Sequence, residues 1–240
     1  METVDRSLTR LGEICAYLVS AMYFLLGVLF WLLPAEQRPF YNFTNFFPSF
    51  AATPMVFLIF TLALAFANLF ALVAARAILD LMRPLNDGGV ISSTYISILG
   101  YVLGVIDAFR VLAIFQQMGI AYSSSAPETQ AAMASMGLMA YLDPTGILKF
   151  GGVGLWLLLL GVLVLRRSRL PGWVGWIGVA LALMYFVQVA GAVLNLPTVF
   201  IVGITLSNLV LAPAWYLSIA RWLHESIMPN WNILATTPNG

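Results

Sequence analysis

Six apolar stretches, each long enough to cross a lipid hydrocarbon layer, constrain this chain more than any other feature. They run from Leu11 to Leu33, Pro54 to Leu79, Val90 to Met118, Ile147 to Leu165, Trp173 to Leu194 and Thr198 to Ile219. A hydrocarbon core of ~30 Å is crossed by about 20 helical residues. No water is available there, so each backbone N–H and C=O must be satisfied within its own helix. Of the 240 residues, 61% are hydrophobic and 9% are charged. A soluble domain carries about 25% charged residues, and this chain has too few to coat a water-facing surface. The expected fold is therefore all-α, a polytopic transmembrane bundle of six spans over residues 1–225. An irregular tail follows over 226–240, marked by Pro229, Pro238, Asn239 and Gly240.

Arginine placement supports the span count. Arg6 and Arg10 precede span one, Arg76 and Arg83 lie between spans two and three, Arg166, Arg167 and Arg169 between four and five, and Arg221 closes span six. Alternating spans put all of these on one face. The other face has Arg38 and, at its edge, Lys149, and the 119–146 connection has no basic residue. The positive-inside rule then places both termini in the cytoplasm. The first apolar run exceeds the 7–15 residues of a signal-peptide core and has no Ala-x-Ala-like site after it, so it is expected to be retained.

Two connections on the outer face are long. The 35–53 segment carries Phe40, Tyr41, Phe43, Phe46, Phe47 and Phe50, and is expected to lie against the headgroups. The 119–146 segment opens with the breaker Ser123-Ser124-Ser125-Ala126-Pro127, and the pattern from Glu128 to Tyr141 predicts a short amphipathic surface helix. On the inner face, Arg83 to Gly89 reads as a turn. No inverted repeat relates the two halves, which argues against a transporter.

Two motifs carry a family resemblance. One begins Phe150-Gly151-Gly152-Val153-Gly154-Leu155, continues through Leu157 to Gly161 into Arg166-Arg167-Ser168-Arg169-Leu170-Pro171, and opens the next span with Gly172-Trp173-Val174-Gly175-Trp176-Ile177-Gly178. The other is Leu81-Met82-Arg83-Pro84-Leu85-Asn86, with Arg110 matching an arginine late in the following span. In these stretches, about a quarter of the chain, the protein resembles uncharacterised bacterial six-helix integral membrane proteins of the domain of unknown function 4386 type. The resemblance implies the fold, the topology and a bacterial cytoplasmic (inner) membrane; it implies no substrate. A histidine that members often carry early in span four has no counterpart between Phe150 and Trp156.

The anomalous residues are Asp107 and Arg110 in span three. They are three apart and so share a helix face, with Asp107 about 25 Å from the inner end at ~1.5 Å per residue. An ionisable residue inside a span is costly and points to function by default. Two readings stand: a mutually neutralising Asp107–Arg110 pair, which needs no ligand, or a polar pocket. Thr61, Gln188, Thr205 and Asn208 reach a similar depth. They could complete such a pocket, or simply form interhelical hydrogen bonds worth about 0.6 kcal/mol each. If a pocket forms, Asp107 suits a cation or proton and Arg110 an anionic group.

Gly100 and Gly104 form a GxxxG motif for close helix packing, within the chain or with a partner. Gly151, Gly152, Gly154, Ala190, Gly191 and Ala192 offer further small contact positions. Met133, Met136 and Met139 lie at spacing three, and thioethers suit Cu(I); with no Cys or His beside them, an apolar helix face is the simpler reading. His224 reads as a headgroup-level surface residue and Cys15 as a small packing residue. Asn42-Phe43-Thr44 is a glycosylation sequon, relevant only in a eukaryotic secretory setting.

One Cys, one His and one Lys exclude an internal disulfide, a CxxC redox pair and a multi-histidine metal site. A net charge of +1 without a basic patch excludes nucleic-acid binding. No cofactor is expected. The expected partners are the lipid bilayer and other membrane protein chains. The leading functional reading is a non-catalytic accessory or scaffold subunit of a larger membrane complex. The alternative is a small-molecule or lipid binder or transporter with a polar pocket near Asp107 and Arg110. An intramembrane enzyme is the weakest reading, because Asp107 lacks a second catalytic group.

Overall fold

A computed structural model describes residues 6–38, 43–83, 87–167 and 171–227. Phe40, Tyr41, the sequon's Asn42, the Pro84–Asn86 turn, Ser168–Leu170 and the tail from 228 onward lie outside the described residues. Helices α1 (Arg6–Leu32), α3 (Met55–Met82), α4 (Gly88–Ser124) and α7 (Gly172–Val193) are single long spans. Span four is a π-helical turn, Ile147–Gly152, continuing as α6 (Val153–Arg167). Span six is α8 (Pro197–Leu206), a π-helical segment Ser207–Leu211, and α9 (Ala212–Ile227). Two short helices, α2 (Phe43–Ala52) and α5 (Pro127–Met136), lie in the long connections. All six spans are long and apolar enough to cross a membrane, and the chain is a six-span all-α bundle.

The spans pack in chain order into a ring. α1 meets α3, α3 meets α4, α4 meets span four, α6 meets α7, α7 meets α8, and span six closes back on α1. Hydrocarbon gives no hydrophobic drive between helices, so contact depends on small residues that let backbones approach. α3 presents Ala63, Ala67, Ala71 and Ala75 at four-residue spacing, all buried. Gly12 sits against Ala77 and Leu223, which brings together the start of α1 and the ends of α3 and α9. There Glu13 Oε1 and His224 Nδ1 meet at 2.9 Å. His224 is thus half-exposed, as expected of a surface residue, yet it joins the first span to the last. The start of α1 and the end of α9 lie together at this end of the bundle.

Two π-helical segments bend spans four and six. The second has a covalent cause: Pro213 has no N–H to offer the carbonyl four residues back, which breaks the regular ladder. The Pro213 carbonyl accepts the Ser20 hydroxyl at 2.8 Å, tying the bend to α1. α4 begins at Asp87, whose Oδ1 accepts from Gly89 N and Val90 N, each at 3.1 Å. Asp87→Ala removes this cap and is expected to cost about 1 kcal/mol, read as a lowered unfolding midpoint in detergent.

The described rings of the aromatic outer segment turn into the bundle instead of outward. Phe46, Phe47 and Phe50 are buried, with Phe46 at 4.9 Å from the Phe57 ring and 5.3 Å from Phe115. Edge-to-face ring packing against α3 and α4 outweighs an interfacial position here. A short helix stands where the surface helix was expected. α5 ends at Met136 and continues as a 3-10 turn, Gly137–Ala140, and α5 has no buried residue.

Candidate functional site

A ring of six helices with interaxial spacings of ~9 Å leaves central room for about one further helix. Large side chains fill most of it. Trp156, Trp215, Tyr101 and Tyr216 form a buried layer toward the end where α1 begins and α9 finishes. The Tyr101 and Tyr216 hydroxyls share a hydrogen bond of 2.6 Å, and Tyr23 stacks on Tyr216 with centroids 5.8 Å apart. Between this floor and the opposite end remains a cavity of about 110 Å³.

Asp107 stands at the cavity wall, 2% exposed. The expected Asp107–Arg110 pair does not form. Asp107 Oδ2 instead takes the Lys149 ammonium at 2.6 Å, and its Oδ1 accepts the Leu142 N–H at 2.7 Å. Arg110 turns away to the chain above: its Nε donates to Ala140 O at 3.1 Å and a terminal nitrogen to Met139 O at 3.3 Å. Side chains three apart on a helix can meet, but carbonyls at a turn offer the guanidinium good acceptors nearer the interface. Asp107, buried deeper, requires a full counter-charge. Lys149 supplies it from the first turn of span four.

The chain from Tyr141 to Gly146 roofs the cavity. Asp143 Oδ2 accepts from the Leu148 and Lys149 N–H groups at 2.9 and 2.8 Å, capping the start of span four. Gly146 adopts a left-handed φ of 71°, which glycine tolerates without strain. This turn aims Lys149 inward. Its ammonium lies 5.2 Å from the Tyr141 ring centroid. Burial, and next the Asp107 carboxylate, push the Tyr141 phenol above its ordinary range, so the phenol stays neutral beside the ion pair.

Thr61, Gln188 and Asn208 join Asp107 at the cavity. Gln188 donates to Ser207 Oγ at 2.8 Å, and Asn208 Oδ1 lies 3.3 Å from that hydroxyl. Ser207 and Asn208 both lie in the π-helical segment, and both are buried. Thr61 donates to the Phe57 carbonyl at 2.8 Å. Thr205 and Arg110 do not line the cavity, and the Thr205 hydroxyl is buried without a partner.

The GxxxG motif serves contacts within this chain. A Cβ on Gly104 would fall 2.7 Å from the Asn68 side chain, and one on Gly100 2.8 Å from the Leu148 carbonyl. Gly152 meets Ile96, Gly154 meets Phe186, and Gly191 lies against the Phe200 backbone. Met136 and Met139 are exposed; Cys15 is buried.

Lys149, Asp143 and the tyrosines at the cavity escaped the reading from sequence. Lys149 had one available signal, as the only lysine, placed just inside an apolar run. Asp143 opens an Asp-Pro-Thr-Gly turn ahead of a helix, a cap signature. The tyrosines, on different spans, had none.

Six apolar spans closed around a central cavity define a multi-pass helical membrane protein. A family model described as Domain of unknown function (DUF4386) matches residues 19–224, and the chain belongs to that family. No curated protein and no solved structure matches it.

Proposed function

We propose that this protein binds a small, largely apolar molecule with one polar end inside the bundle. One observation carries the reading: the cavity of about 110 Å³ reaches the Asp107–Lys149 pair. A concave, mainly apolar site with a few convergent polar groups is the usual form of a small-molecule site. An ion pair facing a cavity leaves donors and acceptors that packed side chains do not use up. Ala108 lines the same cavity, and Ala108→Trp would fill it. Solvent extraction of the purified protein, followed by mass spectrometry, is expected to release a small molecule enriched with the wild type. At least a tenfold loss is expected in Ala108→Trp. Equal recovery from both would refute the reading.

An accessory or scaffold subunit of a larger membrane complex is the other reading. It draws on small residues as contacts for partner helices, and those glycines meet atoms of this chain. A defined larger assembly in mild detergent would support it.

We place the protein in a bacterial cytoplasmic membrane with both termini inside. Arg6, Arg10, Arg76, Arg83, Arg166 and Arg221 support this, since all sit toward the helix ends on the side where α1 begins and α9 finishes. A C-terminal green fluorescent protein fusion should fluoresce and a C-terminal alkaline phosphatase fusion should be inactive. The reverse pattern would overturn the orientation.

A further inference from the structure

We infer that the ligand is a small organic cation, a compact quaternary or protonated amine, held among aromatic side chains with Asp143 as its counter-charge. This rests on the cavity being a binding site and names the chemistry that site selects.

Three charged side chains line the cavity: Asp107, Asp143 and Lys149. Lys149 is already committed to Asp107 at 2.6 Å. Asp143 is 7% exposed, and its Oδ2 takes two backbone N–H groups. Among the described residues no hydrogen bond reaches its Oδ1. The helix terminus that Asp143 caps offsets roughly half an elementary charge, so the lining keeps a negative excess. Arg110 does not reduce it inside the cavity, because its guanidinium is spent on the Met139 and Ala140 carbonyls.

Aromatic side chains share the rest of the wall with aliphatic and a few neutral polar ones. Tyr23, Tyr101, Tyr141 and Tyr185 line it together with four phenylalanines. Ring faces are electron-rich and attract a cation by about 2 kcal/mol or more when the site is dry. Tyr141 already holds the Lys149 ammonium in this way. An anion would have to draw Lys149 from Asp107 and face Asp143. A neutral isostere would fill the same space without the attraction of rings or carboxylate. Size sets a further limit: a dry cavity of ~150 Å³ accepts benzene, so about 110 Å³ leaves no room for a ring that carries an ammonium and suits a compact ammonium group alone.

The test compares three compact probes of similar bulk on the full chain in detergent: tetramethylammonium, the neutral tert-butanol, and the anion pivalate. Titration calorimetry is expected to give the cation at least tenfold tighter binding than either of the others. Asp143→Asn keeps an oxygen for the two N–H groups and removes the charge; it should weaken cation binding at least tenfold with little change in unfolding temperature. Asp143→Glu should restore part of the affinity. Pivalate or tert-butanol binding as tightly as the cation would overturn the cation assignment and leave the cavity as a binding site. Cation affinity unchanged in Ala108→Trp would place the ligand elsewhere and overturn both. Absence of cation binding to folded wild type would overturn the assignment.

Discussion

Lys149→Met is expected to destabilise the protein by about 3 kcal/mol, because it leaves the Asp107 carboxylate buried without its counter-charge. Asp107 is 2% exposed, and no other cation bonds to it among the described residues. Asp107→Asn should cost a similar amount by stranding the ammonium. The double variant Asp107→Asn/Lys149→Met should be more stable than either single one. It buries no net charge, and the asparagine carbonyl still accepts the Leu142 N–H. Unfolding in mixed micelles gives the three values, and their non-additivity is the pair's coupling. Additive costs would show that the two groups do not depend on each other. Arg110→Met is the contrasting case. It removes two bonds to carbonyls on the roof and leaves the pair intact, so its cost should stay near 1 kcal/mol.

The second large effect is steric. Gly161 and Gly175 bring α6 and α7 together, and a Cβ on either would lie 2.8 Å from the other's carbonyl oxygen. Neither backbone can yield without parting the helices. Gly161→Leu is therefore expected to cost about 3 kcal/mol, at the upper end of overpacking, and to lower the yield of folded protein. Gly88→Ala is the control. It meets nothing within 4 Å at the start of α4, and should be neutral or stabilising by a few tenths of a kcal/mol or more. An unchanged unfolding midpoint in Gly161→Leu would mean that the close contact does not hold the helices together.

Much of the fold was legible because its causes are local. A run of about 20 apolar residues must be helical in lipid, whatever its neighbours are. The arginines, read against those runs, placed the helix ends. The aromatic outer segment was misread because its composition suits the headgroup region and a ring cluster equally well; only Phe57 and Phe115, from two other helices, decide for the cluster. The polar residues of span three posed the same difficulty. Asp107 was visible as an anomaly, and the nearest cation in sequence, Arg110, was the natural partner. The actual partner lies 42 residues away.

The sequence by itself determined the six helical spans, their alternation across the layer and the expense of a carboxylate at position 107, because hydropathy and backbone hydrogen bonding act within each segment. Tertiary structure alone decided that the spans close into a ring around a cavity, that Lys149 and not Arg110 neutralises Asp107, and that tyrosines from separate spans meet there. Those outcomes depend on which helix faces come together. That is settled by the close approach of small residues, by two π-helical bends and by a left-handed glycine, and no single stretch of the chain contains that information.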